Sequence, residues 1–426
     1  VALSTPDWPR GASPNGIVTH TAEMADALRE RGVRPVILTW HVDSSRMQTP
    51  VANDADVLDI SQFYIPPKRT LVSRAIDKAS RLLGTDTLLR ARLRMIERAA
   101  RVAVDRFPIE LIEIEEALGL ALPVIEMNRV PVVVRLHGPW FLNGRALGAK
   151  EDAAFERRDQ LEREVIARAD AVTAPSRDVL EQTRAHYGLP LVHGEVVPPP
   201  IDCSTRGTPW KLADCDRDRI LFVGRFDRHK GGDVMIDAFT LLAKERPRLT
   251  LDFVGPDRGL LDPSGTLVPL DAYLAAHVGD GDIRRRIIIH GQQQPDAIDA
   301  FRRRALVTVA PSRYETFGYT AVEALSLGCP TVAANAGGLA EIVRDRETGL
   351  LCEAGDARLL ADQIARLLDA PDWAAGLGEA ARSDVARRYA PRSIAEQTLA
   401  TYAAVVERRP GRATRESPGA GARANA

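Results

Sequence analysis

The sequence predicts an α/β protein built from two Rossmann-like domains that face one another across a cleft. Three observations carry that expectation. At 426 residues the chain is too long for one ordinary hydrophobic core. Short runs of branched apolar residues alternate with helical patterns through both halves, as the strands and crossover helices of parallel sheets do. Val197-Pro-Pro-Pro200 divides the two series, because proline lacks an amide donor and restricts the residue before it.

In the first half, strands are expected at Val36–Thr39, Leu111–Ile114, Val132–Leu136 and Ala171–Ala174, with helices at Thr21–Arg31 and Phe155–Ala169 between them. The chain opens on a short apolar run without Met, so part of a first strand, or the true start, is expected to precede Val1. In the second half, strands are expected at Ile220–Val223, Leu249–Val254, Arg286–His290, Leu306–Ala310 and Thr331–Ala334. Helices begin near Gly232, Pro295, Gly318 and Leu339. The amphipathic stretch Ser393–Val406 follows the last strand-helix unit, and the Arg-, Gly-, Pro- and Ala-rich tail from Arg408 has no apolar periodicity and reads as disordered. The domain expectation is therefore residues 1–197, then 198–387, a crossing helix over 388–407, and a tail over 408–426.

Composition narrows the function classes. Hydrophobic residues make up 45% and charged residues 27%, a globular balance, and the net charge of -1 supplies no global positive field for nucleic acid. The four cysteines, Cys203, Cys215, Cys329 and Cys352, have no zinc-like or disulfide-framework spacing. With no apolar run of about 20 residues and no signal-peptide pattern at Val1-Ala-Leu-Ser-Thr-Pro6, a cytoplasmic location is expected.

The chemistry-bearing stretch is Pro311-Ser-Arg-Tyr-Glu-Thr-Phe-Gly-Tyr-Thr-Ala-Val-Glu-Ala-Leu-Ser-Leu-Gly-Cys-Pro330. Glu315 falls in a loop after a strand and Glu323 near the second turn of the next helix, so both can face one ligand. Gly318 lets the amides that open this helix approach an anion, which a helix N-terminus favours by roughly 0.3–1 kcal/mol. Arg225 follows Gly224 after a strand, and Lys230 precedes Gly231-Gly232 at the next helix entrance, an arrangement able to place two cations on a diphosphate. A double glycine, Gly337-Gly338, enters a helix with Glu341 in its first turn. Each piece alone is equally a turn or a capped helix start. Together they form one anion-binding pattern.

In this order and spacing the pieces resemble the carboxyl domain of family 4 retaining glycosyltransferases of the GT-B fold, whose E-x7-E motif is matched by Glu315 and Glu323. The resemblance runs to about residue 405 and includes Ala174-Pro-Ser176 and the connection Val197-Pro-Pro-Pro-Ile-Asp202. It implies that Arg225 and Lys230 bind the donor diphosphate, that Glu323 holds the ribose, and that Glu315, with the amides of Phe317 and Gly318, contacts the transferred sugar. His137 matches a family histidine at the sugar, so Glu315, His137, Arg225 and Lys230 are the expected catalytic set. The resemblance also implies that Gly16 binds the donor, as part of the glycine-rich loop Gly11-Ala-Ser-Pro-Asn-Gly16 that lets backbone approach the diphosphate and acceptor; the family commonly has Gly-Gly where this chain has Asn15-Gly16, and asparagine tolerates positive φ, which would preserve the turn. The crossing helix would return to the first domain.

The implied donor is a nucleotide diphosphate sugar, with UDP- and GDP-sugars expected first, and the acceptor a saccharide, a lipid-linked molecule or a small molecule. No cofactor and no metal are expected, and Asp54-Ala-Asp56 and Asp214-Cys-Asp216-Arg-Asp218 read as solvated charge in loops. The implied reaction retains configuration, with the leaving phosphate accepting the acceptor's proton. Two other readings stand beside it: a glycoside hydrolase using Glu315 and Glu323 as paired carboxylates, and a non-catalytic sugar-nucleotide module of the same fold. A nicotinamide dehydrogenase is the weakest, for want of a G-x-G-x-x-G after a first strand. Residues 65–106 carry eleven basic against four acidic residues, within helix-like stretches Leu71–Leu83 and Leu88–Val104. Such a segment is either a solvated insertion or a peripheral contact with the anionic inner face of a membrane.

Overall fold

The computed structural model describes residues 1–9, 15–43, 56–65, 87–204, 207–261, 265–279 and 281–409. Its first sheet contains β1 (Ala2–Trp8), β2 (Val36–Val42), β3 (Asp56–Asp59), β4 (Ile112–Glu115), β5 (Val132–Arg135), β6 (Ala171–Ala174) and β7 (Gly194–Val196). They lie in the order β3-β2-β1-β4-β5-β6-β7, every pairing parallel. The second half contributes β8 (Asp216–Val223), β9 (Thr250–Val254), a small antiparallel hairpin of β10 (Leu260–Leu261) and β11 (Leu267–Val268), then β12 (Ile287–Gly291), β13 (Ala305–Ala310), β14 (Thr331–Ala334) and β15 (Leu350–Cys352). Its sheet runs β12-β9-β8-β13-β14-β15, again parallel throughout.

Both sheets reverse their winding direction once, between β1 and β4 and between β8 and β13. Open parallel sheets leave a crevice at such a reversal, beyond the carboxyl ends of the strands. The topology therefore fixes where each unit can hold a ligand before any side chain is considered.

Local sequence explains the helix starts. Asp152 accepts from the amides of Ala154 and Phe155 to open Ala153–Arg168, and Asp356 does the same for Arg358 and Leu359 ahead of Ala357–Asp369. Asn15 opens Gly16–Glu30 by accepting from Ile17 at 2.9 Å. Its φ of -126° is extended, so the asparagine serves as a cap and needs no left-handed turn, contrary to the expectation from the sequence.

The last helix, Pro391–Arg408, leaves the second unit and lies on the first. Ile394 and Ala395 pack with Leu3, Trp8, Ala22 and Leu28, while Tyr402 and Val405 pack with Leu111, Val133 and Ala171. Burying Ile394 and Val405 contributes roughly 1.5–3 kcal/mol each. Tyr402 also donates to Glu113 at 2.9 Å, which accounts for a glutamate inside the buried strand β4.

Some loop expectations are corrected. Asp56 begins β3 and faces Arg34 at 3.4 Å, and Asp216 and Asp218 lie in β8, where they pair with Arg219 and Arg248. Their charge is solvated, but on strand ends, where an exposed sheet margin tolerates polar residues. The expected helix Leu71–Leu83 and loop residues 11–14 lie outside the described residues, as does the tail from residue 410. Thr87–Arg106 forms a helix that exposes Arg90, Arg92, Arg94, Arg98 and Arg101 and buries Met95, Ile96, Ala99, Ala100 and Ala103. Among the described residues no helix is long and apolar enough to cross a membrane.

Candidate active site

The crevice of the second unit lies between the loops that follow β8 and β13. Gly224 and Arg225 leave β8; the Arg225 guanidinium is tied through Nε to Asp227 Oδ2 at 2.7 Å. The other Asp227 oxygen accepts the Lys230 amide at 2.8 Å, so this buried carboxylate shapes the whole turn between the two cations. Gly231 then opens Gly232–Glu245 at φ +69°, and a Cβ there would lie 2.2 Å from the Pro311 carbonyl oxygen. Only glycine fits this position.

Lys230 reaches across the crevice to Glu315, Nζ to Oε1 at 2.5 Å, and Ser312 Oγ donates to the same oxygen at 2.7 Å. Burial would raise the Glu315 carboxyl, but Lys230 and His229 beside it, with the hydrogen bonds from Lys230 and Ser312, bring it below its ordinary value. Glu315 is therefore ionised at neutral pH. A glycosidase general acid needs a raised carboxyl, so Glu315 does not suit that role. His229 donates from Nε2 to the Tyr314 carbonyl oxygen at 2.7 Å, and burial lowers its basicity.

Glu323 sits one helical turn into Tyr319–Leu327, where the fully buried Arg302 binds it at 2.7 Å while also binding Asp299 at 2.7 Å. Gly318 precedes this helix at φ +111°, and a Cβ would meet Leu339 at 2.6 Å. Among the described residues the amides of Phe317 and Gly318 have no paired acceptor. The Phe317 ring is buried, edge-on to Tyr319 and Tyr389.

Opposite lies the first unit. His137 follows β5, and its amide and that of Gly138 donate to the buried Glu116 at 3.1 Å and 2.8 Å. Burial, then Glu162, push the Glu116 carboxyl up to about 8. The His137 ring meets His20 edge-to-face at 5.3 Å between centroids. Burial, with His20 and Arg135 nearby, holds His137 well below its ordinary value, so the ring is neutral at neutral pH and offers one donor and one acceptor. Gly16, at the start of its helix, would bring a Cβ within 3.5 Å of the Tyr319 ring. The two units thus meet around the loop that bears Glu315: Thr316 Oγ1 donates to the His137 carbonyl at 3.1 Å, and Tyr314 donates to Asp178 at 2.8 Å. Beside this junction a groove is lined by Phe141, Leu142, Arg145, Arg228, Arg313 and Tyr314. Arg145 and Arg313 are paired with Glu151 and Asp233.

The expected residues Arg225, Lys230, Glu315, Phe317, Gly318 and Glu323 all lie on the β8 and β13 side of the cleft, and Gly16 and His137 on the β1 and β5 side. Asp227, Ser312, His229 and Arg302 were not singled out from the sequence. A short polar residue two positions from an expected cation, as Asp227 is from Arg225, is the one signal that points to any of them.

Comparison with known proteins follows the same division. Residues 14–205 match the model described as Glycosyltransferase Family 4, and residues 210–384 the model described as Glycosyl transferases group 1. D-inositol 3-phosphate glycosyltransferase of Nocardiopsis dassonvillei is 31% identical over 261 residues, 59% of this chain and 60% of that protein. D-inositol 3-phosphate glycosyltransferase 1 of Catenulispora acidiphila is 30% identical over 305 residues, 68% of this chain and 70% of that protein. The first of these relatives is thus spanned over less than two thirds of its length. Among solved structures, sucrose-phosphate synthase from Thermosynechococcus elongatus superimposes with a TM-score of 0.72 at 20% identity, covering 95% of this chain and 98% of the other. HepE of Anabaena, crystallised with UDP-glucose, gives 0.66 at 17% identity, covering 95% and 99%. At these identities the likeness speaks for the fold, which is GT-B.

Proposed function

The chain belongs to glycosyltransferase family 4, and from that premise we propose that it moves a sugar from a nucleoside diphosphate donor, held by the second unit, to a hydroxyl held by the first, with retention at the anomeric carbon. One observation carries the reading. At the winding reversal of the second sheet, Arg225, Lys230 and Glu315 come together beside a helix start whose amides at Phe317 and Gly318 face no acceptor among the described residues.

In this reading the diphosphate sits against Arg225, Lys230 and those amides, and Glu323 takes the ribose. The bond between anomeric carbon and phosphate oxygen breaks with its electron pair leaving on the diphosphate, where the two fixed cations offset the growing charge. The acceptor oxygen bonds to the anomeric carbon on the same face, and its proton passes to the leaving phosphate oxygen. Lys230, which grips Glu315 in the structure, then shares its ammonium between the carboxylate and the phosphate. His137, uncharged, orients a sugar hydroxyl. No residue in this scheme binds a metal.

The relatives act on D-inositol 3-phosphate by name, so that compound is the first acceptor to try. The groove lined by Arg145, Arg228 and Arg313, of which Arg145 and Arg313 are held by Glu151 and Asp233, supports an acceptor carrying a phosphate. The exposed arginines of Thr87–Arg106 support docking on an anionic bilayer for a lipid-linked acceptor, and failure to sediment with anionic vesicles at low salt would remove that extension.

The deciding experiment titrates UDP-, GDP-, ADP- and dTDP-sugars into the purified protein and scores nucleoside diphosphate release. Binding of one donor, abolished by Arg225→Ala or Lys230→Ala, is the expected result. If no sugar nucleotide binds, the donor-site assignment fails.

A further inference from the structure

Glu341 takes no part in the scheme above, yet its carboxylate joins the two units. It lies on the short helix Leu339–Ile342 of the second unit, and its two oxygens accept the first amides of the first unit's helix Arg177–Tyr187: Arg177 at 3.0 Å and Asp178 at 2.8 Å. An α-helix leaves its first four N–H groups without partners inside the helix. Here the third, of Val179, goes to Ser176 Oγ at 3.3 Å. The first two go to a carboxylate 163 and 164 residues away. A negative charge at this end is favoured by the aligned peptide dipoles as well.

The backbone under Glu341 is held from two sides. Gly338 donates to the Glu315 carbonyl at 2.7 Å, seating the turn against the loop that carries Glu315. Arg388 donates to the Glu341 carbonyl at 2.7 Å and is itself bound to Asp384. The helix start that Glu341 grips also grips that loop: Ser176 Oγ donates to the Thr316 carbonyl at 2.8 Å, Tyr314 donates to Asp178, and Thr316 donates on to His137. One helix N-terminus of the first unit is thus completed by the second, within a few residues of Glu315.

We propose that Glu341 is a positioning residue, which latches the Arg177–Tyr187 helix to the second unit and so holds the Glu315 loop against His137. Its catalytic consequence rests on the transferase reading; its structural consequence does not. The test uses the full chain as Glu341→Ala and Glu341→Gln, the latter keeping the side-chain shape and one acceptor oxygen. In the ligand-free protein, hydrogen exchange at Arg177 and Asp178 should accelerate in Glu341→Ala and less in Glu341→Gln, with the rest of that helix unchanged, and small-angle scattering should give Glu341→Ala the larger radius of gyration.

With donor and acceptor, kcat should fall roughly ten- to a hundredfold in Glu341→Ala and less in Glu341→Gln, while affinity for the nucleoside diphosphate holds, because the residues placed on the diphosphate and ribose, Arg225, Lys230 and Glu323, all lie in the second unit. Unchanged exchange at Arg177 and Asp178 overturns the latch. Lost protection with an unchanged kcat overturns the positioning role. If the wild type binds no sugar nucleotide, the transferase reading fails, and exchange with scattering still decides for or against the latch.

Discussion

Replacing Gly338 by alanine is the sharpest test of how rigidly the Glu315 loop must be held. Its φ of -61° suits any residue, so the substitution adds no backbone strain of its own. The added methyl carbon would lie 2.7 Å from Phe317 Cα, from the Phe317 carbonyl oxygen and from the Thr316 carbonyl oxygen, all backbone atoms that cannot rotate away. Ordinary contact begins near 3.4 Å, so the loop must move by about 0.7 Å, and the 2.7 Å hydrogen bond from Gly338 to the Glu315 carbonyl must stretch or break. Overpacking of this kind costs about 1–3 kcal/mol of stability. A displacement approaching 1 Å at a reacting centre costs on the order of a hundredfold in rate, so kcat should fall about ten- to a hundredfold. Gly376→Ala is the matched control: it lies inside the helix Pro371–Arg388, a Cβ there meets nothing within 4 Å, and it should stabilise by roughly 0.5–1 kcal/mol with no effect on turnover. Thermal unfolding and nucleoside diphosphate release, measured on both variants, read the two effects separately. A Gly338→Ala protein that loses stability but keeps kcat within about twofold refutes the claim that loop position limits the chemistry.

Three further outcomes are expected. Lys230→Ala should destabilise the fold by about 3 kcal/mol near neutral pH by leaving a buried carboxylate unpaired. Because the Glu315 carboxyl lies below its ordinary value of 4.5 in the folded state, the stabilisation is complete above that value and fades as pH falls through the folded one; urea unfolding should show the two proteins converging in acid, and a constant gap would contradict the pairing. Glu116 has the opposite sign: raised to about 8, it makes the folded state bind the extra proton, so wild-type stability should decline between about pH 5 and 8, and Glu116→Gln, which still accepts the His137 and Gly138 amides, should flatten that decline in the same assay. EDTA should leave donor binding and turnover unchanged in calorimetry and product release, since the proposed charge compensation comes from Arg225 and Lys230; a loss restored by a divalent ion would show otherwise.

What could be read from sequence was whatever a local pattern encodes. Val132–Arg135 and Ala171–Ala174 are short, apolar and branched, and they are buried strands; Glu315 and Glu323 keep a spacing that a loop and one helical turn impose. What escaped depends on distant partners. Arg302 looks like one of three arginines ending a helix, Arg302-Arg303-Arg304, and nothing local says that it is fully buried on Glu323. Glu341 looked like an acidic first turn of its own helix, whereas it caps another helix. Gly194–Val196 and Leu350–Cys352 are three-residue edge strands, too short to show a period.

The return of the last helix to the first unit means that the backbone crosses between the units twice, once near Val197–Pro200 and once at Tyr389–Pro391. The crossings touch, Ile201 donating to the Tyr389 carbonyl at 2.8 Å. A single strap would let one unit swivel in any direction relative to the other. Two straps fastened side by side behave as the pin of a door, leaving swing about one line and blocking twist and slide. Any swing of one unit on the other would then carry the Glu315 loop from His137 and back along one line, in one register. Cutting the chain after Arg388 would remove the second strap and, with it, that fidelity.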